Sequence, residues 1–286
     1  MQLPNLKMCA GLSLLLLGML PLLVSSQRNP EPPRTVRVPP PSGSLPPAPL
    51  PFQRGETFHY NISWKIFDAG IATMTLTDRF RNQEEEVYRI SATVRSTGIV
   101  STFFPVSDTF ESYLQIQELC SRRIVKYVRE GWRYRDTLLT FDPKNRKAVL
   151  EEKIPNAPQA PVKHLETPIP ECVQDVISAL YAARIRQFQV GEKFRFPIND
   201  GGTTYDVEVE VQAEEQLKTP AGTFETYRLE PQVFGGLFKK KGRMFVWFSK
   251  DQAKIPVQIK ARILVGTITA TLARIEKGPQ IQPGRQ

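Results

Sequence analysis

The chain has 286 residues, 41% hydrophobic and 23% charged, with 38 Lys and Arg against 29 Asp and Glu for a net charge of +9. Two His and three Cys exclude a multi-ligand zinc array and a disulfide-stapled miniprotein, and the composition excludes global disorder and a polytopic membrane protein. Ten of the 25 prolines lie between Gln27 and Pro51, and the stretch 52–277 that follows is about 225 residues of globular composition, enough for one large domain or two small ones.

The N-terminus reads as a secretory signal over residues 1–26. Lys7 precedes an apolar run, Met8 to Val24, and Val24-Ser25-Ser26 supplies small residues for cleavage after Ser26. The alternative is an anchor that is kept, although Gly18 and Pro21 interrupt the run. Cys9 leaves with the signal, so the mature chain holds Cys120 and Cys172. An even count in an exported chain favours a disulfide over two separate buried thiols. A cleaved signal of this kind implies an exported chain. Residues 27–51 are too proline-rich to pack; they read as a disordered linker, or as a spacer of at most about 75 Å if an anchor persists.

From Phe58 onward the pattern has period two. Phe58, Tyr60, Ile62, Trp64 and Ile66 alternate with His59, Asn61, Ser63 and Lys65, which predicts a strand with one buried face. Asp68-Ala69-Gly70 predicts the turn, and Ala72, Met74 and Leu76 the returning strand. Tyr88 to Val94 repeats the alternation, and further strands are expected over 108–116, 122–129, 135–142 and 147–152. Residues 153–170 read as a proline-broken loop. Val173, Val176, Ile177, Leu180, Tyr181 and Arg184 then fall at helical spacing, predicting one amphipathic helix near 172–187. Strands follow over 193–198, 204–216, 223–232, 242–249, 255–263 and 266–276, and residues 278–286 read as a tail. The expectation is a mainly β fold: a large antiparallel sheet curled into an open or partly closed barrel, with the helix against its concave face. It forms one domain over 52–277, or two β halves, 52–152 and 188–277, joined by the loop and helix.

Phe52-Gln53-Arg54-Gly55-Glu56-Thr57-Phe58 matches Phe188-Gln189-Val190-Gly191-Glu192-Lys193-Phe194 at five of seven positions. Either the chain is internally repeated, or Gly-Glu-x-Phe is a good phrase for entering a strand; the likeness does not extend convincingly into the strands themselves.

A longer series of phrases carries a family likeness. It runs through Gln174-Asp175-Val176-Ile177-Ser178-Ala179-Leu180-Tyr181, Gly191-Glu192-Lys193-Phe194 and Lys218-Thr219-Pro220-Ala221-Gly222-Thr223-Phe224. It ends with Gly242-Arg243-Met244-Phe245-Val246-Trp247-Phe248-Ser249 and Val265-Gly266-Thr267-Ile268-Thr269. This order resembles the bacterial exported family known as domain of unknown function 3108, over roughly residues 52–277 and most strongly over 171–277. The resemblance implies a β-rich protein of the periplasm or cell envelope of a bacterium; it supplies no activity and no catalytic residue. The Lys218–Phe224 phrase itself reads as a hairpin tip, with Pro presetting φ and Gly ending the turn.

Catalytic motifs are missing from the sequence. It has no Gly-x-Ser-x-Gly elbow, no phosphate-binding glycine loop, no His-Glu-x-x-His and no Cys-x-x-Cys. His59 and His164 read as solvated, and Asp206, Glu208 and Glu210 as one polar strand face. No catalytic residue, metal or cofactor is expected. Between Phe52 and Lys277 the chain has 33 basic and 28 acidic residues, a net +5 too mild to name an anionic partner. Nucleic acid is a poor fit for an exported chain without a binding module. One cluster, Leu237, Phe238, Lys239, Lys240, Lys241 and Arg243, suits contact with an anionic membrane surface as well as it suits a solvated loop. Trp247 reads as a core or cavity-lining ring rather than a surface anchor.

The function expected is that of a non-catalytic envelope protein holding an apolar or amphiphilic envelope ligand, or a partner chain, on its concave β surface. The alternatives are a structural or scaffolding envelope protein and, less well supported, a carboxylate-dependent enzyme of cell-wall polymers.

Overall fold

In a computed structural model the chain is described over residues 50–82, 85–232, 242–263 and 266–278. The expected signal, nearly all of the proline-rich linker and the final tail lie outside these residues.

The described residues form fourteen strands and two short helices. The first wing contains β1 (Thr57–Trp64), β2 (Phe67–Asn82), β3 (Glu85–Ser96), α1 (Gly98–Phe103) and β4 (Ser107–Gln115), then β5 (Ser121–Glu130), β6 (Arg133–Asp142), β7 (Lys147–Lys153) and β8 (Lys163–Pro168). After α2 (Ser178–Arg184) the second wing contains β9 (Lys193–Asp200), β10 (Thr203–Thr219), β11 (Gly222–Pro231), β12 (Arg243–Ser249), β13 (Pro256–Ile263) and β14 (Gly266–Glu276). All fourteen join one antiparallel sheet in the order β8-β7-β6-β5-β4-β3-β2-β1-β14-β13-β12-β11-β10-β9. Short connections make neighbours in sequence neighbours in space. The exception is central: β1 pairs with β14, Thr57 opposite Glu276 and Trp64 opposite Ile268.

The period-two pattern decides which face is buried. Phe58, Tyr60 and Ile62 of β1 join Met74 and Leu76 of β2, Ile90 of β3, Phe110 of β4, Ile259 of β13 and Leu272 of β14 in one continuous core. Each such side chain contributes about 1.5–3 kcal/mol when fully buried. The sheet curls around this core without closing, since β8 and β9 remain its two ends. Its wings approach through the interior instead. Lys126 of β5 pairs with Asp200 at the end of β9, and the segment before α2 bridges the gap. There Val173 O accepts from Ser121 N at 2.9 Å, and Gln174 exchanges bonds of 2.8 Å with Pro197 O and Asn199 N.

Four local expectations are corrected. Asp68-Ala69-Gly70 is a bulge, not a turn: Ile62 faces Gly70 and Ser63 faces Asp68, leaving Ala69 as the extra residue. The chain reverses earlier, at Lys65-Ile66, with Lys65 at φ 56°. Gly70 is required by close approach, since a Cβ there would stand 2.3 Å from the Arg95 carbonyl oxygen. The expected loop 153–170 contains β8, because 162–167 is free of proline and Leu165 packs against the core. Pro168 ends that strand on the sheet edge, where a missing N–H is tolerated. The helix is shorter than 172–187, because residues 173 and 174 are extended and bonded to both wings. Finally, α1 was not foreseen; it is a single short helix over the end of β2.

The two Gly-Glu-x-Phe phrases fold alike. Gly55 and Gly191 take φ of 83° and 88°. Gly55 N donates to Leu76 O and Gly191 N to Val211 O, while Leu76 N donates to Glu56 O and Val211 N to Glu192 O. Glu56 N and Glu192 N close the same tight turn onto Gln53 O and Gln189 O.

Candidate functional site

The interior below the sheet is occupied by the chain itself. Arg184, fully buried at the end of α2, forms a fork with both oxygens of Glu56. Its Nε donates to Ala253 O at 2.9 Å and one terminal nitrogen to Pro51 O at 3.0 Å. The guanidinium carbon lies 5.1–5.4 Å from the ring centres of Tyr181, Phe52 and Phe58. Burial holds the Tyr60 and Tyr181 phenols well above their ordinary pKa, with Arg184 pulling the other way. Tyr60 donates to Pro256 O at 2.8 Å. These groups lock α2 to β1 and to the turn before β13 and fill the concave face where α2 crosses it.

A second buried knot fixes the start of α2. Cys120 and Cys172 are joined by a disulfide across 52 residues, with Cα atoms 5.3 Å apart. Three residues on, the buried Asp175 carboxylate accepts four bonds: from the Ser112 and Ser121 hydroxyls at 2.6 Å, Ile177 N at 2.8 Å and Ser178 N at 3.0 Å. The carboxylate takes the place of the first-turn bonds a short helix lacks.

The opposite face of β4–β7 carries a groove of about 510 Å³. Its walls mix Val125, Leu138 and Val162 with Tyr113 and Tyr127, and its charged residues are Glu111, Arg123, Asp136, Glu151, Glu152 and Lys153. Three of these six charges are held in ion pairs. Arg89 lies 3.8 Å from Glu111, Arg129 is 2.6 Å from Asp136 and Arg135 is 2.5 Å from Glu152. Arg123 differs. Its guanidinium carbon stacks 4.0 Å from the Tyr113 ring centre, and its Nε is buried without a hydrogen-bond partner among the described residues. Burial, together with the Glu111 carboxylate that accepts the Tyr113 hydroxyl at 2.9 Å, raises the Tyr113 pKa, and Arg123 opposes that shift.

The residues singled out from sequence separate in space. Leu237, Phe238, Lys239, Lys240 and Lys241 lie outside the described residues. Arg243 is bound through two nitrogens to Glu230, at 2.5 and 2.6 Å, which neutralises it. Trp247 is buried and donates to Glu215. It lies on the outer face beside Phe245, with Lys260 at 5.3 Å over its ring. Asp206, Glu208 and Glu210 share one polar face and pair with Arg195 and Lys193 of β9. His59 sits 3.0 Å from Glu276, and His164 is exposed. Among the described residues no three His, Cys, Asp or Glu gather to hold a metal, and no helix is long and apolar enough to cross a membrane.

The family described as protein of unknown function DUF3108 matches residues 59–273. The chain belongs to this family. No curated protein matches it. Among solved structures, a beta-barrel-like protein of domain of unknown function DUF1849 from Brucella abortus is similar in fold. It has a TM-score of 0.51 and 9% identity, over 79% of this chain and 98% of that one. A candidate exported protein with a YmcC-like fold from Bacteroides fragilis aligns at a TM-score of 0.35 and 10% identity, over 80% and 98% of the two chains. A candidate lipoprotein from Parabacteroides distasonis aligns at 0.29 and 11%, over 78% and 96%. The DUF3108 chain therefore shares a barrel-like β architecture with the Brucella protein, and that likeness bears on fold alone.

Proposed function

We propose that this DUF3108 protein is a non-catalytic protein of the bacterial cell envelope that binds an amphiphile with an anionic head group. The disulfide supports an oxidising compartment. The reading moves the ligand from the concave face, which α2 and Arg184 occupy, to the outer groove of β4–β7. The observation that carries it is Arg123: a guanidinium stacked on Tyr113 and facing apolar walls, with no carboxylate partner among the described residues. A half-buried guanidinium with no ion-pair partner among the described residues favours an anion arriving with its own apolar body. An enzymatic reading finds less support, since Asp206, Glu208 and Glu210 are engaged by Lys193 and Arg195. Scaffolding by strand addition is disfavoured at β8, which presents Lys163, His164, Glu166 and Pro168 on its edge.

Native mass spectrometry of the protein isolated from its envelope, followed by titration with lysophosphatidylglycerol, tests the proposal. Retained amphiphile, and affinity roughly tenfold weaker in Arg123→Ala, are expected. A protein that neither retains nor binds the probe, or a variant that binds equally well, overturns it.

A further inference from the structure

One end of the first wing differs in chemistry from the rest of the molecule. Four connections meet there: the Lys65-Ile66 turn, residues 97–106 containing α1, the Gly131-Trp132 turn and residues 154–162. Together they hold a single charged residue, Lys65, in a chain that is 23% charged. At the opposite end of the same wing the connections carry Glu118, Lys144, Arg146 and Glu171.

Backbone and side-chain bonds stitch the four into a continuous rim. Thr97 N donates to Ala69 O at 3.1 Å, Gly131 N to Pro105 O at 2.8 Å, and Asn156 Nδ2 to Trp132 O at 3.1 Å. The Trp132 ring also meets Phe104 edge-on at 6.3 Å. Along this rim Ile66 is 88% exposed, Phe103 73%, Ile99 67% and Trp132 64%. These are large apolar side chains on projecting turns, held in place from behind. Several large exposed apolar side chains gathered at one end of a sheet mark an interaction site.

The charges identify the occupant. The exposed apolar groups lie on two tight turns and on α1. Behind the tips stand the exposed cations Lys65, Arg95, Lys153, Lys163 and Arg262, against the exposed acids Asp68 and Glu151. Apolar and indole tips outermost, with basic residues one step back, reproduce the layering of acyl chains beneath anionic head groups. We infer that this rim seats on the surface of an anionic lipid bilayer, with Ile66, Ile99, Phe103 and Trp132 entering the interfacial layer. The inference rests on the rim alone and stands whether or not the groove takes an amphiphile. Val162 and Lys153 lie at both features, so a seated rim would bring the groove mouth to the lipid.

The full chain would be tested against vesicles of phosphatidylglycerol and phosphatidylethanolamine, with bromine-labelled acyl chains as a local quencher. The expected result is quenching of tryptophan emission that is largely lost in Trp132→Phe, and vesicle affinity at least about tenfold weaker in the Ile99→Ser, Phe103→Ser double variant. Ile185→Ser, which alters an exposed apolar residue beside Arg184 and away from the rim, should bind like the parent. Tryptophan emission unquenched by bound vesicles overturns the inference, because attachment then runs through another segment. So does a double variant that binds as well as the parent, or a chain that ignores vesicles while its rim captures a protein. Arg123→Ala separates the two proposals: it should keep vesicle binding while losing lysophosphatidylglycerol.

Discussion

Arg184 and Glu56 are 128 residues apart in sequence and meet as a buried fork at the junction of α2 with β1. The pair is enclosed by Phe52, Phe58 and Tyr181, and the Ala253 and Pro51 carbonyls take two further guanidinium donors. Satisfaction of this kind makes the pair a specifier of packing, and makes breaking it costly. Arg184→Met should destabilise the protein by about 3–5 kcal/mol, because the Glu56 carboxylate is left without its counter-charge. Replacing both residues with Met should recover much of the loss. Urea unfolding of the two single variants and the double variant measures this, and additive losses would show that the residues act independently.

The Cys120–Cys172 bridge and the Asp175 knot constrain the same segment from two sides. Removing the bridge by Cys→Ser at both positions should cost about 4 kcal/mol in the chain-entropy model, and thiol labelling of the native protein should modify neither residue. Asp175→Asn should cost a further 1–3 kcal/mol, approximately. One carboxylate oxygen is replaced by an NH2 donor, and either two fixed backbone N–H groups or two hydroxyls lose their acceptor. Chemical denaturation with and without reductant separates these two contributions.

Much of the sheet could be read from alternation, because a strand with one buried face writes its orientation residue by residue. The Cys120–Cys172 pair was legible from count and compartment, whereas Trp247, expected as a core or cavity-lining ring, is covered by its neighbours on the outer face. Arg184 at a stripe position of an otherwise apolar helix signalled a buried partner, but nothing local points to Glu56. The β1–β14 pairing is equally silent, since it joins opposite ends of the domain. Gly70 misled because glycine marks close backbone approach as readily as a turn. The groove and the apolar rim depend on which connections the sheet order brings together, so Ile66, Ile99, Phe103 and Trp132 look like scattered apolar residues until β2, β3, β5 and β6 are aligned.

The matching geometry at Gly55 and Gly191 gives the repeated phrase a quantitative test. Both residues occupy the left-handed region and donate to the strand that follows their own. Alanine at either position should therefore cost about 1 kcal/mol, from backbone strain. A Cβ on Gly191 would meet nothing within 4 Å, so strain acts there without any clash. Thermal unfolding of the two variants compares them, and a large difference between them would mean that the two phrases carry different loads.

Glu230 supplies a pH dependence whose sign follows from its partner. Arg243 holds its carboxyl below the usual carboxylate range, by hydrogen bonding against the opposing effect of burial. A carboxyl lowered in the folded state adds stability above its unfolded value, and that stability is lost as pH falls through the folded value. Arg243→Gln removes the cause of the lowering. The variant should lose about 1 kcal/mol near neutrality. Its deficit should begin to shrink as pH falls below the unfolded value, about 4.3, and vanish only below the lower folded value, where Glu230 is protonated in the folded parent as well. Urea midpoints of parent and variant at pH 7, 5, 4 and 3 measure the convergence. A deficit that stays constant down to pH 3 would assign the loss to packing of the Arg243 side chain against Phe245, which lies 4.8 Å from its guanidinium.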